Sequence, residues 1–143
     1  MRVKHLMSRV VVSVPGKTPV LEARALMLKE GIRHLLIVDD ERLQGIVTDR
    51  DIRLNLPSPA TSLSVWEINH LLARLTVASV MTRGVIVIDS ERDAREAVRI
   101  MVDHKIGALP VLDGGRLLGI ITETDLLRAF VGSAEPAAGA ADR

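Results

Sequence analysis

The heptapeptide GIVTDRD at residues 45–51 recurs as GIITETD at residues 119–125. Both copies keep the glycine, the isoleucine, the threonine and the final aspartate, whereas the positions between them vary. An apolar run that ends in Thr-x-x-Asp is typical of a strand that leads into a helix, because the threonine can cap the first turn of that helix. The sequence therefore predicts a strand-to-helix junction that occurs twice.

The repeat extends well beyond this junction. Residues 3–53 align with residues 77–127 without a gap, and 16 of the 51 positions are identical. A repeat at a fixed offset indicates two copies of one structural unit. We expect a first motif, a linker, a second motif and a disordered tail, at residues 1–54, 55–76, 77–131 and 132–143 respectively.

Within each copy the hydrophobic pattern changes between strand and helix periods. The first copy is predicted to form a strand, a helix with a glycine C-cap, a hairpin with a four-residue turn and a second helix. In the first copy the strand is expected at residues 10–14, the first helix at 19–31, the hairpin strands at 35–38 and 43–47, and the second helix at 48–54. In the second copy the same elements are expected at residues 85–88, 94–105, 108–112 and 116–121, and 122–131. The predicted fold class is α/β (α+β), built from two β-α-β-β-α motifs. The linker has the spacing of an amphipathic helix over residues 63–75, and we expect its apolar face to lie in the core.

Composition narrows the possible functions. Of the 143 residues 48% are hydrophobic, which is enough for a core, and the net charge is only +1, which argues against a nucleic-acid binder. The chain has no cysteine, so thiol catalysis and disulfides are excluded, and its four histidines show no metal-ligand spacing. The start of the chain leads into no long apolar run, so we expect neither a signal peptide nor a membrane helix. We therefore expect a cytoplasmic protein.

The Thr-x-x-Asp motif has two interpretations. In the first, Thr48 and Thr122 only cap helices, with the aspartate three residues later completing a capping box. In the second, a helix N-terminus with a threonine hydroxyl holds a phosphate, while the carboxylate accepts the hydroxyls of a ribose. The preceding glycines, Gly45 and Gly119, and the duplication favour a nucleotide site.

The order of elements, the Gly-Ile-x-Thr-x-x-Asp signature and a Val-x-x-x-Met-Ser/Thr-Arg stretch before each first strand together resemble a tandem pair of CBS domains. The latter stretch occupies residues 3–9 and 77–83. The resemblance implies that the two units pack as a pseudo-twofold pair with two clefts. It also implies that the pair binds AMP, ADP or ATP, or less often S-adenosylmethionine or NAD, and that it dimerises through its helices.

The resemblance also implies site residues. Asp51 and Asp125 would hold the ribose hydroxyls, Thr48 and Thr122 would lie near ribose or phosphate, and apolar residues of the first strands would flank the adenine, namely Val12, Val14, Ile86 and Ile88. The copies differ in charge at the remaining positions: Arg33, His34 and Arg50 of the first copy correspond to Gly107, Ala108 and Thr124 of the second. We therefore expect the first site to prefer phosphorylated ligands, because a guanidinium group suits a phosphate. One departure concerns the second strand, where the family favours proline: the second copy has Pro110 but the first has Leu36.

The sequence thus predicts a regulatory module that performs no chemistry. It would bind an adenine nucleotide, change its packing and signal to an effector protein whose identity the sequence does not give. We expect no metal and no cofactor. We expect the protein to form a homodimer. The alternative is a ligand-independent dimeric scaffold in which the motifs only cap helices. A third possibility, a small hydrolase, has no support, because the sequence shows no set of catalytic residues.

Overall fold

The computed structural model describes residues 1–58 and 60–134, which form two compact units. The first unit comprises Val12–Val85, and the second comprises Met1–Val11 together with the described residues from Ile86 onward. The segment in front of each first strand therefore packs with the other repeat. The compact units do not coincide with the sequence repeats, because these two segments are exchanged.

The first unit contains one mixed sheet and its helices. The strands lie in the order β1-β2-β3, with β1 parallel to β2 and β2 antiparallel to β3. The elements are β1 (Ser13–Val14), α1 (Val20–Glu30), β2 (His34–Asp39), β3 (Arg42–Thr48), α2 (Asp49–Asn55), α3 (Val65–Arg74) and α4 (Val77–Val80).

The second unit repeats this topology with the order β4-β5-β6. Its elements are a short 3-10 helix (Val3–His5), β4 (Ile88–Asp89), α5 (Ala94–His104), β5 (Ala108–Asp113), β6 (Arg116–Thr122) and α6 (Glu123–Ala134). The predicted fold class is confirmed, since both units have the order β-α-β-β-α.

Each unit has an aliphatic core between its sheet and its helices. In α1 the buried residues Val20, Ala23 and Met27 follow helical spacing. The rest of the first core is Leu35, Ile37, Val47, Ile52 and Val77, and the second core is Val3, Ile88, Ala97, Met101, Leu109, Val111 and Ile121. The exchanged segments contribute to both cores, through Val77 in the first unit and Val3 in the second.

The first strands are much shorter than predicted. The expected ranges 10–14 and 85–88 shrink to the two-residue strands β1 and β4. Each has a neighbour on one side only, and the residues before it belong to the segment that leads from one unit to the other. Val10, for example, is 79% exposed. A run of β-branched residues favours extended backbone, but a strand forms only where a partner strand is present.

The hairpin turn of the first unit is also tighter than predicted. Asp39 still pairs with Arg42, so the turn has two residues rather than four. Asp40 and Glu41 have φ angles of 50° and 63°. Positive φ at both central positions matches the two-residue turns that suit the twist of a hairpin. Such turns favour glycine, which the second unit has at both positions, Gly114 and Gly115.

The linker helix exists, but its apolar face is buried only in part: Leu72 and Leu75 are half-buried, and Leu75 packs against the first core. Ser64 and Glu67 form a capping box at the start of α3, with bonds of 3.1 and 3.2 Å. None of the α3 residues is fully buried, and Val65 and Trp66 are 75% and 73% exposed. Ile68 is half-buried. Amphipathic spacing predicts which face turns inward but not how much of it another element covers.

The end of the chain is helical for longer than expected. The predicted end of the last helix was near residue 131, whereas α6 runs to Ala134. Gly132 does not stop it, since an interior glycine costs only about 1 kcal/mol. The rest of the predicted disordered tail, residues 135–143, lies outside the described residues. Within residues 1–58 and 60–134, no helix is both long enough and apolar enough to cross a membrane.

Candidate functional site

The Thr-x-x-Asp motif of the first unit joins β3 to α2. The backbone amide of Asp51 donates to Thr48 Oγ1 over 3.0 Å. The backbone amide of Thr48 donates in return to Asp51 Oδ2 over 2.9 Å. Both side chains are half-buried. The two bonds form a complete capping box, which satisfies two backbone donors that a helix start otherwise leaves without partners.

The second unit builds the same box between β6 and α6. The amide of Asp125 donates to Thr122 Oγ1 over 3.3 Å, and the amide of Thr122 donates to Asp125 Oδ2 over 2.9 Å. The Thr122 hydroxyl also lies 3.0 Å from Asp125 Oδ2 and donates to it. In both units the box engages Oδ2 of the aspartate. The second carboxylate oxygen, Oδ1, takes no part in the cap.

The start of the second strand lies directly beside each motif. In the first unit His34 pairs with Thr48, and the amide of Asp49 donates to the carbonyl of Arg33 over 3.1 Å. In the second unit Ala108 pairs with Thr122, and the equivalent bond from Glu123 to Gly107 is 3.0 Å. The structure therefore brings these predicted site residues together at one end of each sheet.

The first strands begin at the same sheet end, because they run parallel to the second strands. The carbonyl of Val12 accepts the amide of Leu36 over 3.3 Å, and Val14 pairs with Ile37. Val12 and Val14 are half-buried, as is Ile86 in the second unit. Ile88 is different, since it is 4% exposed and belongs to the second core. Of the four apolar residues, Ile88 is the least accessible to a base.

The two sites differ in charge. Arg33 and Arg50 are exposed in the first unit, next to the half-buried His34. Their counterparts in the second unit are Gly107, which is half-buried, Ala108, which is buried, and the exposed Thr124. The first site therefore presents two guanidinium groups where the second presents none. On the first turn of α2, Asp49 is engaged by Arg53, with 2.9 Å between the carboxylate and the guanidinium group.

The repeated glycines have a packing reason. A Cβ placed on Gly45 would lie 2.7 Å from the carbonyl oxygen of Thr82 and 2.6 Å from the sulfur of Met81. A Cβ on Gly119 would meet the carbonyl oxygen of Ser8 in the same way. Glycine is needed where another backbone approaches this closely. The glycines therefore accommodate the exchanged segments and do not add support for a nucleotide site.

Sequence reasoning missed the residues that make this approach. Thr82 bridges Ile46, and Ser8 bridges Ile120, each as an isolated antiparallel pair beside β3 or β6. The signal was present, because the Met-Ser/Thr-Arg stretch recurs at equivalent positions of both copies.

Two acids near the start of α5 have lowered pKa values. Hydrogen bonds from Lys4 and Arg2 lower the pKa of Glu91, and the amide of Arg95 lowers the pKa of Asp93. Both acids are exposed near the start of α5. In the part of the chain that the structure describes, no group of three or more His, Asp or Glu residues is arranged to hold a metal ion.

Comparisons with known proteins agree on the family. The model of the CBS domain matches residues 3–58 and 77–132. A CBS domain-containing protein of Dictyostelium discoideum is 35% identical over 136 residues, which is 94% of each chain. Inosine-5′-monophosphate dehydrogenase of Thermoplasma acidophilum is 32% identical over 127 residues, but the chain spans only 23% of that enzyme.

Solved structures give the same result. The CBS domain pair of protein MJ0100, in complex with 5′-methylthioadenosine and S-adenosyl-L-methionine, has a TM-score of 0.76 and 27% identity, covering 93% of this chain and 98% of that one. The CBS-domain containing protein ATU1752 from Agrobacterium tumefaciens has a TM-score of 0.78 and 25% identity, covering 91% and 99%. With both halves matched by the family model, and with a sheet and helices of the same topology in each unit, the chain belongs to the CBS domain family and is a CBS domain pair.

Proposed function

We propose that this CBS domain pair is a cytoplasmic regulatory module that binds AMP, ADP or ATP at its Thr-x-x-Asp sites and signals to a partner protein through a change in packing. It carries out no reaction of its own. Ligand binding can shift the packing only if one arrangement binds the nucleotide better than the other.

One observation carries the proposal. In each unit the capping box uses Oδ2 of the aspartate and leaves Oδ1 outside it, at the sheet end where the first and second strands begin. An aspartate in this position can cap its helix and accept a ribose hydroxyl at the same time. The CBS domain pair of protein MJ0100, solved in complex with 5′-methylthioadenosine and S-adenosyl-L-methionine, supports an adenosine compound as the kind of ligand.

The charge difference gives the proposal its nucleotide specificity. Arg33 and Arg50 lie on either side of Thr48 in sequence, and the backbone bond from Asp49 to Arg33 holds the two segments together. Guanidinium groups recognise phosphate oxygens through paired hydrogen bonds. The first site would therefore bind AMP, ADP or ATP. The second site, with Gly107 and Thr124 at these positions, would bind these nucleotides more weakly or prefer S-adenosylmethionine, which carries no phosphate.

Thermal unfolding with individual ligands tests the proposal. AMP, ADP, ATP, NAD, S-adenosylmethionine and 5′-methylthioadenosine would each be added to the purified protein. A ligand at 100 times its Kd adds about 2.7 kcal/mol to the free energy of unfolding, which raises Tm by several degrees. A shift with an adenine nucleotide supports the proposal. No shift with any of the six compounds would contradict it.

Two variants of Asp51 separate ligand binding from capping. Asp51→Asn keeps one carbonyl oxygen for the amide of Thr48 but removes the second acceptor and the charge. We expect it to keep its stability within about 0.5 kcal/mol and to lose at least tenfold in nucleotide affinity, as measured by calorimetry. Asp51→Ala should lose the cap as well, at a cost of about 0.5–2 kcal/mol. Equal nucleotide affinity in Asp51→Asn and the unchanged protein would show that the motif only caps α2.

A second candidate function, that of a homodimeric scaffold, is favoured by an apolar cavity in the second unit. The cavity between α5 and α6 has a volume of about 360 Å³, and its lining is Val98, Met101, Val102, Glu123, Leu126, Leu127 and Phe130. Phe130 is 72% exposed and Val102 is 69% exposed. Large apolar side chains that are exposed side by side mark an interaction surface. A second copy of the chain is the occupant that we propose.

Light scattering of the Phe130→Asp variant tests the dimer. The substitution should leave the fold intact, because the side chain is mostly exposed, and should convert a dimer to a monomer. A dimer that survives it would place the interface elsewhere. Nucleotide binding without any change of mass would show that sensing and assembly are separate properties.

A further inference from the structure

The segment Ser8–Val12 connects the two units and is held at both of its ends. At one end Ser8 exchanges two backbone hydrogen bonds with Ile120, of 2.9 and 3.0 Å, in the second unit. At the other end the carbonyl of Val12 accepts the amide of Leu36, at 3.3 Å, in the first unit. Only three residues separate these two anchor points. We call this segment the first tie.

The Ser8 end is anchored firmly in the second unit. The side chain of Val3 is fully buried in the second core. Its amide donates to the carbonyl of Arg92 over 2.9 Å, and the carbonyl of Met1 accepts the amide of Ala94 over 2.7 Å. The carbonyl of Ser8 then crosses Gly119 at close approach. The second unit therefore holds this segment both by the buried side chain of Val3 and by backbone hydrogen bonds.

The equivalent segment that begins at Thr82 is attached more loosely. Thr82 exchanges bonds of 2.9 and 3.2 Å with Ile46 in the first unit. The position equivalent to Leu36 is Pro110, which has no amide hydrogen and cannot hold the carbonyl of Ile86. The next anchor is Ile88, which pairs with Val111 in β4 and β5. This longer segment also contains Gly84, at a φ of +62° with open space around it.

We propose that the first tie is the stronger of the two connections between the halves, so that displacements of β6 near Ile120 in the second unit and of Val12 in the first unit are coupled to each other, while the looser segment that begins at Thr82 transmits much less. Two differences between the repeats set this asymmetry: Leu36 against Pro110, and Val10 against Gly84. When one end of a short segment held at both ends is displaced, the other end is displaced as well. A longer segment that contains a glycine can change its backbone conformation instead, so its other end moves less.

If the two Thr-x-x-Asp sites bind ligands as proposed above, the first tie would couple ligand binding at one site to ligand binding at the other; this role rests on the proposed function. Ile120 lies two residues before Thr122, and Val12 is one of the residues expected beside the adenine in the first unit. Ligand at either site would then alter affinity at the other by the same factor. Couplings between sites typically change affinity by about 5- to 150-fold.

Hydrogen exchange in the ligand-free protein tests the tie itself. Gly119→Ala places a Cβ against the carbonyl of Ser8 and so releases the tie from the second unit. We expect the amide of Leu36, in the other unit, to exchange at least about fivefold faster. The control is Gly115→Ala, which strains an open turn of the same unit at a φ of +84° without touching the tie. Equal acceleration of Leu36 in both variants, at matched stability, would overturn the proposal.

The variant Leu36→Pro tests the coupling between the sites. The substitution fits β2, because Pro110 occupies the same register in β5: Leu36 pairs with Ile46 as Pro110 pairs with Ile120. It removes the amide that holds Val12. Calorimetric titration should show a coupling between the two sites in the unchanged protein that falls to less than about twofold in the variant. Coupling of the same size in both proteins would contradict the proposal.

The two tests fail separately. If no adenine ligand binds, the proposed function fails, while the exchange measurement still decides whether Ser8–Val12 connects the units mechanically. If ligand binds and the exchange of Leu36 is indifferent to Gly119→Ala, the tie fails and the proposed function stands.

Discussion

The variant Gly45→Ala would test whether the repeated glycines exist to accommodate the exchanged segments. Its new Cβ would lie 2.6 Å from the sulfur of Met81 and 2.7 Å from the carbonyl oxygen of Thr82. The methionine side chain can turn away at small cost. The carbonyl belongs to the backbone, and it can move only if the Thr82 segment leaves the edge of β3.

The magnitude follows from what that movement breaks. Thr82 and Ile46 exchange two hydrogen bonds, of 2.9 and 3.2 Å, and each is worth about 0.5–1.5 kcal/mol. Overpacking at a close contact adds about 1–3 kcal/mol. We therefore expect a loss of about 2–6 kcal/mol in the free energy of unfolding, and a fall in Tm of about 3 °C per kcal/mol for a chain of this size.

Thermal and urea unfolding followed by circular dichroism would measure this loss. The relevant control is Met81→Ala in the Gly45→Ala background, which relieves the sulfur contact but not the carbonyl contact. Because Met81 itself packs against the first core, the double variant is compared with Met81→Ala alone, and in that background Gly45→Ala should still cost more than half of what it costs in the unchanged protein. If Gly45→Ala were neutral or stabilising, by the roughly 0.4–1 kcal/mol that a Gly to Ala change gives through the unfolded chain, the close-approach argument would be refuted.

Three further predictions concern single positions. Lys105 holds the left-handed C-cap of α5 at a φ of 54°, where α1 has Gly31, so Lys105→Gly should stabilise the protein by about 1 kcal/mol in urea unfolding; unchanged stability would show that the cap is unstrained. Glu41→Gly should likewise stabilise the β2–β3 turn, by about 0.5–1 kcal/mol in the same assay, whereas Gly115→Ala should weaken the β5–β6 turn. Hydrogen bonds from Lys4 and Arg2 hold the pKa of Glu91 below its ordinary value of 4.5, so its contribution to stability is present above pH 4.5 and is lost as the pH falls through the lowered pKa. Tm measured against pH at low salt should therefore show a smaller acid-side decline in Glu91→Gln, and identical profiles would contradict this assignment.

Much of the local structure could be predicted from residue patterns. Gly31 was expected at a helix C-cap and has the left-handed conformation there. The Thr48 and Thr122 motifs were expected to cap helices, and their hydrogen bonds form the box. These predictions succeed because helix caps depend on neighbours within a few positions along the chain.

Predictions that depended on a distant partner did less well. The apolar run at residues 10–14 was expected to be a strand, but most of it leads from one unit to the other and only Ser13–Val14 pairs with β2. The apolar face of α3 was expected in the core, but Val65 is 75% exposed. Pattern gives a residue's preference for burial, and the presence of a covering element decides whether burial occurs.

The candidate site shows the same division. The identity of the residues beside Thr48, including His34 and Arg50, followed from the repeat and the resemblance. The sequence could not show that Oδ2 of Asp51 is used by the cap while Oδ1 is outside it, because that depends on the rotamer and on the geometry of the helix start.

By itself, the sequence determined the duplication, the order β-α-β-β-α and the capping residues, since each is a matter of short-range spacing and composition. Only the tertiary structure decided that Met1–Val11 packs with the second repeat and that the segment around Thr82 packs with the first. It also decided that Gly45 and Gly119 are glycine because another backbone crosses them. The physical reason is that hydrogen bonds and close contacts between residues far apart in the chain leave no periodic trace in the sequence around either partner.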